Sequence, residues 1–124
     1  NPLSGAVKAR AEIAITGHSA GGRTAITYGA DSNVITYIPL AGAAAAFRDQ
    51  PAATAPKGKA SLYVAGANDG VVSTAGIRSF YETVPAPKRF VTIDGVGHLL
   101  HIERPKPVAQ VIANFLCRHP IPYK

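Results

Sequence analysis

The stretch Gly17-His18-Ser19-Ala20-Gly21-Gly22 sets the expectation for the rest of the chain. Residues 12–16 before it form a short β-branched run that is typical of a buried strand, and residues 23–28 after it fit a helix. A serine between two glycines, in a strand–turn–helix context, is the pattern of a nucleophile elbow, whose strained turn holds the hydroxyl clear of the sheet. We expect larger side chains two residues before or after Ser19 to collide with the strand and the helix.

The same six residues also fit two simpler interpretations. Ser19 would merely cap a glycine-rich helix N-terminus, or the turn would bind a phosphate group. The motif alone does not separate these alternatives from an elbow, because short glycine- and serine-containing patterns recur by chance. The remainder of the chain therefore has to supply the evidence.

Composition narrows the class of protein. The 124 residues are 47% hydrophobic, which predicts one domain with a modest core. Thirteen basic residues against seven acidic ones give a net charge of +6, but the basic residues are scattered without interleaved aromatics. This pattern favours solubility over nucleic-acid binding, and no apolar run is long enough to span a membrane. The single cysteine, Cys117, cannot form an internal disulfide. It lies in an apolar predicted helix, which favours a buried thiol. One cysteine does not indicate in which cellular compartment the protein works.

Strand and helix patterns alternate along the chain. After the first strand and the elbow, residues 34–38, 60–65 and 89–93 are predicted strands. Residues 74–83 are a predicted helix capped by Ser73 or Thr74, and Pro105 opens a last helix. Residues 43–59 are a connection with one short helix. Alternation of this kind predicts an α/β fold with a parallel sheet of about four strands joined by crossover helices.

Three reactive side chains follow three of these strands: Ser19, Asp69 and His98. Sites in parallel sheets form at the carboxyl ends of strands, where such residues meet. A serine hydroxyl needs a nearby base, histidine has a suitable pKa, and a carboxylate fixes the histidine tautomer. The spacings of 69 − 19 = 50 and 98 − 69 = 29 residues leave room for the crossovers. These residues therefore predict a nucleophile, an acid and a base in that order.

Three sequence segments resemble the α/β-hydrolase family, in particular its small esterase, lipase and cutinase-like members. They are G-H-S-A-G-G at 17–22, A-G-A-N-D-G-V-V at 65–72 and D-G-V-G-H at 94–98. The resemblance implies Ser19 as nucleophile, Asp69 as acid, His98 as base and the backbone N–H of Ala20 as an oxyanion donor. It implies a serine hydrolase that cleaves small-molecule or polymeric carboxylic esters through an acyl-enzyme, without a cofactor.

The resemblance covers the C-terminal half of the family's fold. Family members have strands before the elbow, and a loop after one of them supplies the second oxyanion donor. We therefore expect residues 1–124 to be a single domain truncated at its N-terminus. The missing half would come from a longer protein or a second chain, or self-association would cover the open edge of the first strand.

Several alternatives stay open at this point. Asp94 is a rival acid, His101 is a rival base, and His18 is a packing or substrate-contact residue. No metal-ligand spacing and no nucleotide-binding motif is present. The rival function from another class is a non-catalytic α/β module used for binding or assembly, which an incomplete oxyanion hole would favour.

Overall fold

A computed structural model describes residues 13–42 and 52–118, and strands alternate with helices through both ranges. The strands are β1 (Ile13–His18), β2 (Val34–Leu40), β3 (Ala60–Gly66) and β4 (Lys88–Ile93). The helices are α1 (Ala20–Tyr28), α2 (Thr74–Thr83), α3 (Leu100–Glu103) and α4 (Pro105–Arg118). The strands form one parallel sheet in the order β1-β2-β3-β4. The predicted α/β fold with a four-stranded parallel sheet is confirmed.

The core lies on both faces of the sheet. Because successive side chains of a strand point to opposite faces, β3 contributes Leu62 and Val64 to one cluster and Tyr63 and Ala65 to the other. The first cluster includes Leu100 of α3 and Val108 and Phe115 of α4. The second includes Ile26 of α1 and Ile77 of α2. The sheet is therefore covered on both faces, as the hydrophobic strands of a parallel sheet require.

Local signals fix the helix ends in the expected way. The Ser73 hydroxyl accepts a hydrogen bond from the Gly76 N–H at 3.1 Å and caps α2, and α4 begins at Pro105. Two expectations need correction. Helix α1 begins at Ala20 rather than at residue 23, and the one-turn helix α3 was not predicted.

The predicted burial of Cys117 is wrong, because its side chain is exposed on α4. Phe115 of the same helix is buried. Two residues are about 200° apart around a helix, so the residue two positions after Phe115 points away from the core. The apolar composition of the segment concealed this difference.

Two predictions fall partly or wholly outside the described residues. A short helix is expected within residues 43–59, of which 43–51 lie outside the described residues. Residues 52–59 form neither helix nor strand. Residue 12, the first of the predicted first strand, also lies outside. Within the ranges that are described, none of the helices has the length and apolar character needed to cross a bilayer.

Candidate active site

Ser19 occupies a strained turn between β1 and α1. Its backbone angles are φ 59° and ψ −116°, a conformation that L-residues rarely adopt and that costs on the order of 1–3 kcal/mol. The turn is held because the Ser19 N–H donates to the Leu40 carbonyl at 2.8 Å and its own carbonyl accepts from Gly22 at 2.9 Å. The Ser19 hydroxyl makes no capping hydrogen bond to α1. This geometry fits an elbow and disfavours the helix-cap interpretation.

The glycines around Ser19 serve different purposes. A Cβ added at Gly17 would lie 2.1 Å from the Gly21 carbonyl oxygen, so Gly17 is needed as expected. A Cβ at Gly21 would meet nothing within 4 Å, so the expected collision two residues after Ser19 is wrong. The close approach occurs one residue later, where a Cβ at Gly22 would lie 3.0 Å from the Cα of Gly42 after β2.

Asp69 lies in the loop after β3, and its carboxylate accepts three hydrogen bonds. Oδ1 accepts from the N–H groups of Val71 at 2.8 Å and Val72 at 2.9 Å, and Oδ2 is 2.9 Å from Nδ1 of His98. The side chain has no exposed surface. Burial raises the pKa of Asp69, but the hydrogen bonds from His98, Val72 and Val71 outweigh burial and bring the pKa below its ordinary value. Asp69 is therefore held as a carboxylate.

His98 lies in the loop after β4, with 15% of its side chain exposed. Because a carboxylate only accepts, the Nδ1–H of His98 donates to Asp69. In the neutral ring this leaves the lone pair on Nε2, the atom that a base uses. The two loops cross closely: a Cβ at Gly66 would lie 2.3 Å from the Gly97 carbonyl, and the Asn68 N–H donates to the Val96 carbonyl at 2.9 Å.

The elbow and the His98 loop meet at the carboxyl-terminal end of the strands. His18, next to Ser19 in the chain, has its Nε2 atom 2.7 Å from the His98 carbonyl oxygen. Among the hydrogen bonds of the described residues, none joins the Ser19 hydroxyl to His98. In catalytic sites, the hydrogen bond between a serine and a histidine is often long without substrate and shortens when substrate binds.

The structure also describes the other candidate residues, Ala20, Asp94 and His101. Ala20 is the first residue of α1, where helix geometry leaves the backbone N–H without an intrahelical acceptor. Asp94 is exposed, and Asp69 rather than Asp94 is the carboxylate bound to His98. His101 lies on α3 with its ring against His18. Over the described ranges, no cluster of His, Cys, Asp and Glu could hold a metal ion.

The contact of His18 was missed by sequence reasoning. His18 and His98 are 80 residues apart, and no spacing rule links a strand-end histidine to a carbonyl in another loop. The signal available was the pair of residues His18 and Ser19 itself: whatever holds Ser19 in a strained turn also fixes the position of its neighbour.

Comparisons with known proteins place this arrangement in a broader context. No protein-family model matches the chain. Epoxide hydrolase A of Mycobacterium tuberculosis (strain ATCC 25618 / H37Rv) is 39% identical over 56 residues, which is 45% of this chain and 17% of that protein.

Solved structures resemble the chain over most of its length. MGS-MChE2, an α/β-hydrolase enzyme from the metagenome of sediments from the lagoon of Mar Chica, Morocco, has a TM-score of 0.73 at 15% identity, with 87% of this chain and 62% of that chain covered. A thermophilic esterase from Thermogutta terrifontis has a TM-score of 0.74 at 16% identity, covering 87% and 65%. The chain thus has part of the α/β-hydrolase fold, and it spans less than two thirds of these structures.

Proposed function

We propose that this chain carries the nucleophile, the base and the acid of a serine hydrolase that cleaves carboxylic esters. The observation that carries the proposal is the Asp69–His98 hydrogen bond of 2.9 Å, which leaves a lone pair on His98 Nε2, in a loop that contacts His18 beside the strained Ser19. The fold shared with esterases supports the same conclusion. So does the freedom of the Ser19 hydroxyl from any cap of α1.

The proposed reaction has two halves. The Ser19 Oγ attacks the ester carbonyl carbon and its proton passes to His98 Nε2, which gives a tetrahedral oxyanion. The oxyanion collapses, the alcohol leaves with the proton from His98, and an acyl group remains on Ser19. Water then repeats the sequence, losing its proton to His98, and releases the acid and the free serine. Asp69 holds the His98 ring and stabilises its imidazolium form, with no cofactor involved.

The oxyanion would receive one hydrogen bond from the N–H of Ala20, at the N-terminus of α1. A missing donor typically costs about 10²–10³ in rate, so we place a second donor outside the described residues, in another part of the protein or a partner chain. Self-association that covers the edge of β1 is the alternative source. The substrate is a small-molecule or polymeric ester, and no nucleic acid is involved.

The test is intact-mass analysis after treatment with a fluorophosphonate. Ser19 should attack phosphorus and expel fluoride, which adds one phosphonyl group per chain. We expect one adduct on the wild type, one on Ser79→Ala, whose serine lies exposed on α2, and none on Ser19→Ala. The wild type and Ser79→Ala should hydrolyse a short p-nitrophenyl ester, and Ser19→Ala should not.

Two results would contradict the proposal. If the whole protein, with any partner chain, is folded and gains no adduct, the non-catalytic binding or assembly module is favoured. An adduct that persists on Ser19→Ala would assign the reactivity to another residue. Circular dichroism and the urea midpoint of each protein establish that the fold is retained.

A further inference from the structure

Three imidazole rings, those of His98, His18 and His101, lie in contact in a row beside the site. The ring centroid of His18 lies 4.7 Å from that of His98 and 4.3 Å from that of His101, with interplanar angles of 49° and 50°. The proposed reaction uses only His98, so the other two rings are unexplained by it. His18 is the central ring of the three, and it directly precedes Ser19 in the chain.

The hydrogen bond of His18 has a defined direction. Its acceptor, the His98 carbonyl oxygen 2.7 Å away, carries no proton, so Nε2 of His18 is the donor. This bond holds the main chain of His98, whereas Asp69 holds its ring through Nδ1. The two contacts restrain different degrees of freedom: Asp69 restrains the rotation of the ring, and His18 restrains the position of the peptide that carries it.

We infer that His18 is a positioning residue, which sets the separation between the Ser19 hydroxyl and the His98 imidazole by tying the elbow to the backbone of the His98 loop. The inference rests on the proposed function. Ser19 and His98 lie on loops from the two outermost strands, β1 and β4. The His18 bond joins the elbow directly to the backbone of the His98 loop.

The size of the expected effect follows from geometry. Proton transfer needs a heavy-atom distance of about 2.6–3.2 Å, and a misplacement of about 1 Å costs on the order of 100-fold in rate. Losing the tie between the loops should therefore slow acylation of Ser19. Substrate affinity should change much less, because His18 itself does not touch the ester in this scheme.

The experiment compares two substitutions at this position. His18→Phe keeps an aromatic ring between His98 and His101 but has no N–H, whereas His18→Gln places an amide N–H near the position of Nε2 and has no ring. We expect His18→Phe to lower kcat for a short p-nitrophenyl ester, and the rate of fluorophosphonate labelling, by about 10- to 100-fold. KM should stay within about twofold. His18→Gln should recover most of the lost rate.

The outcomes separate the inference from the proposed function. A wild type that neither labels nor hydrolyses would overturn the proposed function and the positioning role together. A wild type that labels at the same rate as folded His18→Phe would overturn the positioning role alone. If His18→Gln is as slow as His18→Phe, the hydrogen bond is not the cause, which also overturns the inference. Should His18→Phe fail to fold, His18→Leu makes the same comparison with less bulk.

Discussion

The candidate site has two ends that are built very differently: the proposed acid–base end, with Asp69 and His98, and the proposed nucleophile end, with Ser19. At the acid–base end, β3 lies between two strands with nearly all of its residues buried, and the Asp69 carboxylate accepts three hydrogen bonds. At the nucleophile end, β1 is an edge strand with no fully buried residue, and Ser19 holds a positive φ. The acid–base end is stabilised by several hydrogen bonds, while the nucleophile end holds a strained residue in the turn after a mostly half-buried strand.

The difference shows where the two ends obtain their precision. The Asp69–His98 pair lies on the loops after β3 and β4, which approach so closely that a Cβ at Gly66 would lie 2.3 Å from the Gly97 carbonyl oxygen. Ser19 depends instead on backbone strain, which persists only where surrounding packing over-determines it. Loss of the Asp69 charge should therefore remove activity with the fold intact, whereas a substitution that crowds the backbone of the Ser19 turn should lower stability.

The largest effect is expected for Asp69→Asn at the acid–base end. The amide oxygen still accepts from Val71 and Val72, so the loop stays in place. The amide nitrogen now faces His98 Nδ1 as a donor and moves the ring proton to Nε2, which removes the lone pair that the proposed mechanism uses. We expect kcat for a p-nitrophenyl ester to fall on the order of 10⁴-fold.

The control is Asp94→Asn, whose exposed carboxylate follows β4. This variant should retain the activity of the wild type within about twofold. If the two variants exchanged their behaviour, Asp94 would be the acid and the assignment of Asp69 would be wrong.

A smaller but structural effect is expected for Gly17→Ala at the nucleophile end. Its Cβ would lie 2.1 Å from the Gly21 carbonyl oxygen, which is backbone and cannot move aside without opening the elbow. Overpacking of this kind costs about 1–3 kcal/mol of unfolding free energy, and occasionally more. Urea unfolding followed by circular dichroism measures the loss.

Gly21→Ala is the matched control, because its Cβ meets nothing within 4 Å and the residue lies in the first turn of α1. We expect no loss of stability, and a gain of up to about 1 kcal/mol from the higher helix propensity of alanine. Equal destabilisation by both substitutions would mean that the tight packing of the elbow is not what requires Gly17.

Much of this fold follows from local sequence patterns. β-branched runs, the Ser73 cap and Pro105 locate strands and helix starts, and the parallel alternation brings the strand ends together. Asp69 and His98 could be paired in advance because strand-end placement and chemistry agree. These signals are local or depend on the order of elements along the chain, which a single sequence contains.

The remaining features depend on close approaches between distant segments. Nothing in the sequence indicates that Gly22 packs against Gly42, or that His18 binds a carbonyl 80 residues away. The exposure of Cys117 depends on the angular position of one residue on α4, within a segment that is apolar on average. Such contacts are set by the three-dimensional arrangement of finished elements rather than by composition.

The smallest effect expected is the acid sensitivity contributed by Asp69. Burial raises its pKa and the hydrogen bonds from His98, Val72 and Val71 lower it by more, so the net shift is downward on folding. A carboxyl whose pKa is lower in the folded state contributes stability that is fully present above its unfolded pKa of about 3.9. That stability is lost as the pH falls through the folded pKa. Asp69→Asn lacks this contribution at every pH.

The difference in urea midpoint between wild type and Asp69→Asn should therefore be fully present at pH 5 and narrow below about pH 4. Asp94→Asn should follow the wild type throughout, since the exposed Asp94 makes no hydrogen bond to His98. A gap that stays constant down to pH 3 would mean that the hydrogen bonds do not favour the charged form of Asp69. The acid–base end would then be held by packing of its loops, in the same way as the nucleophile end.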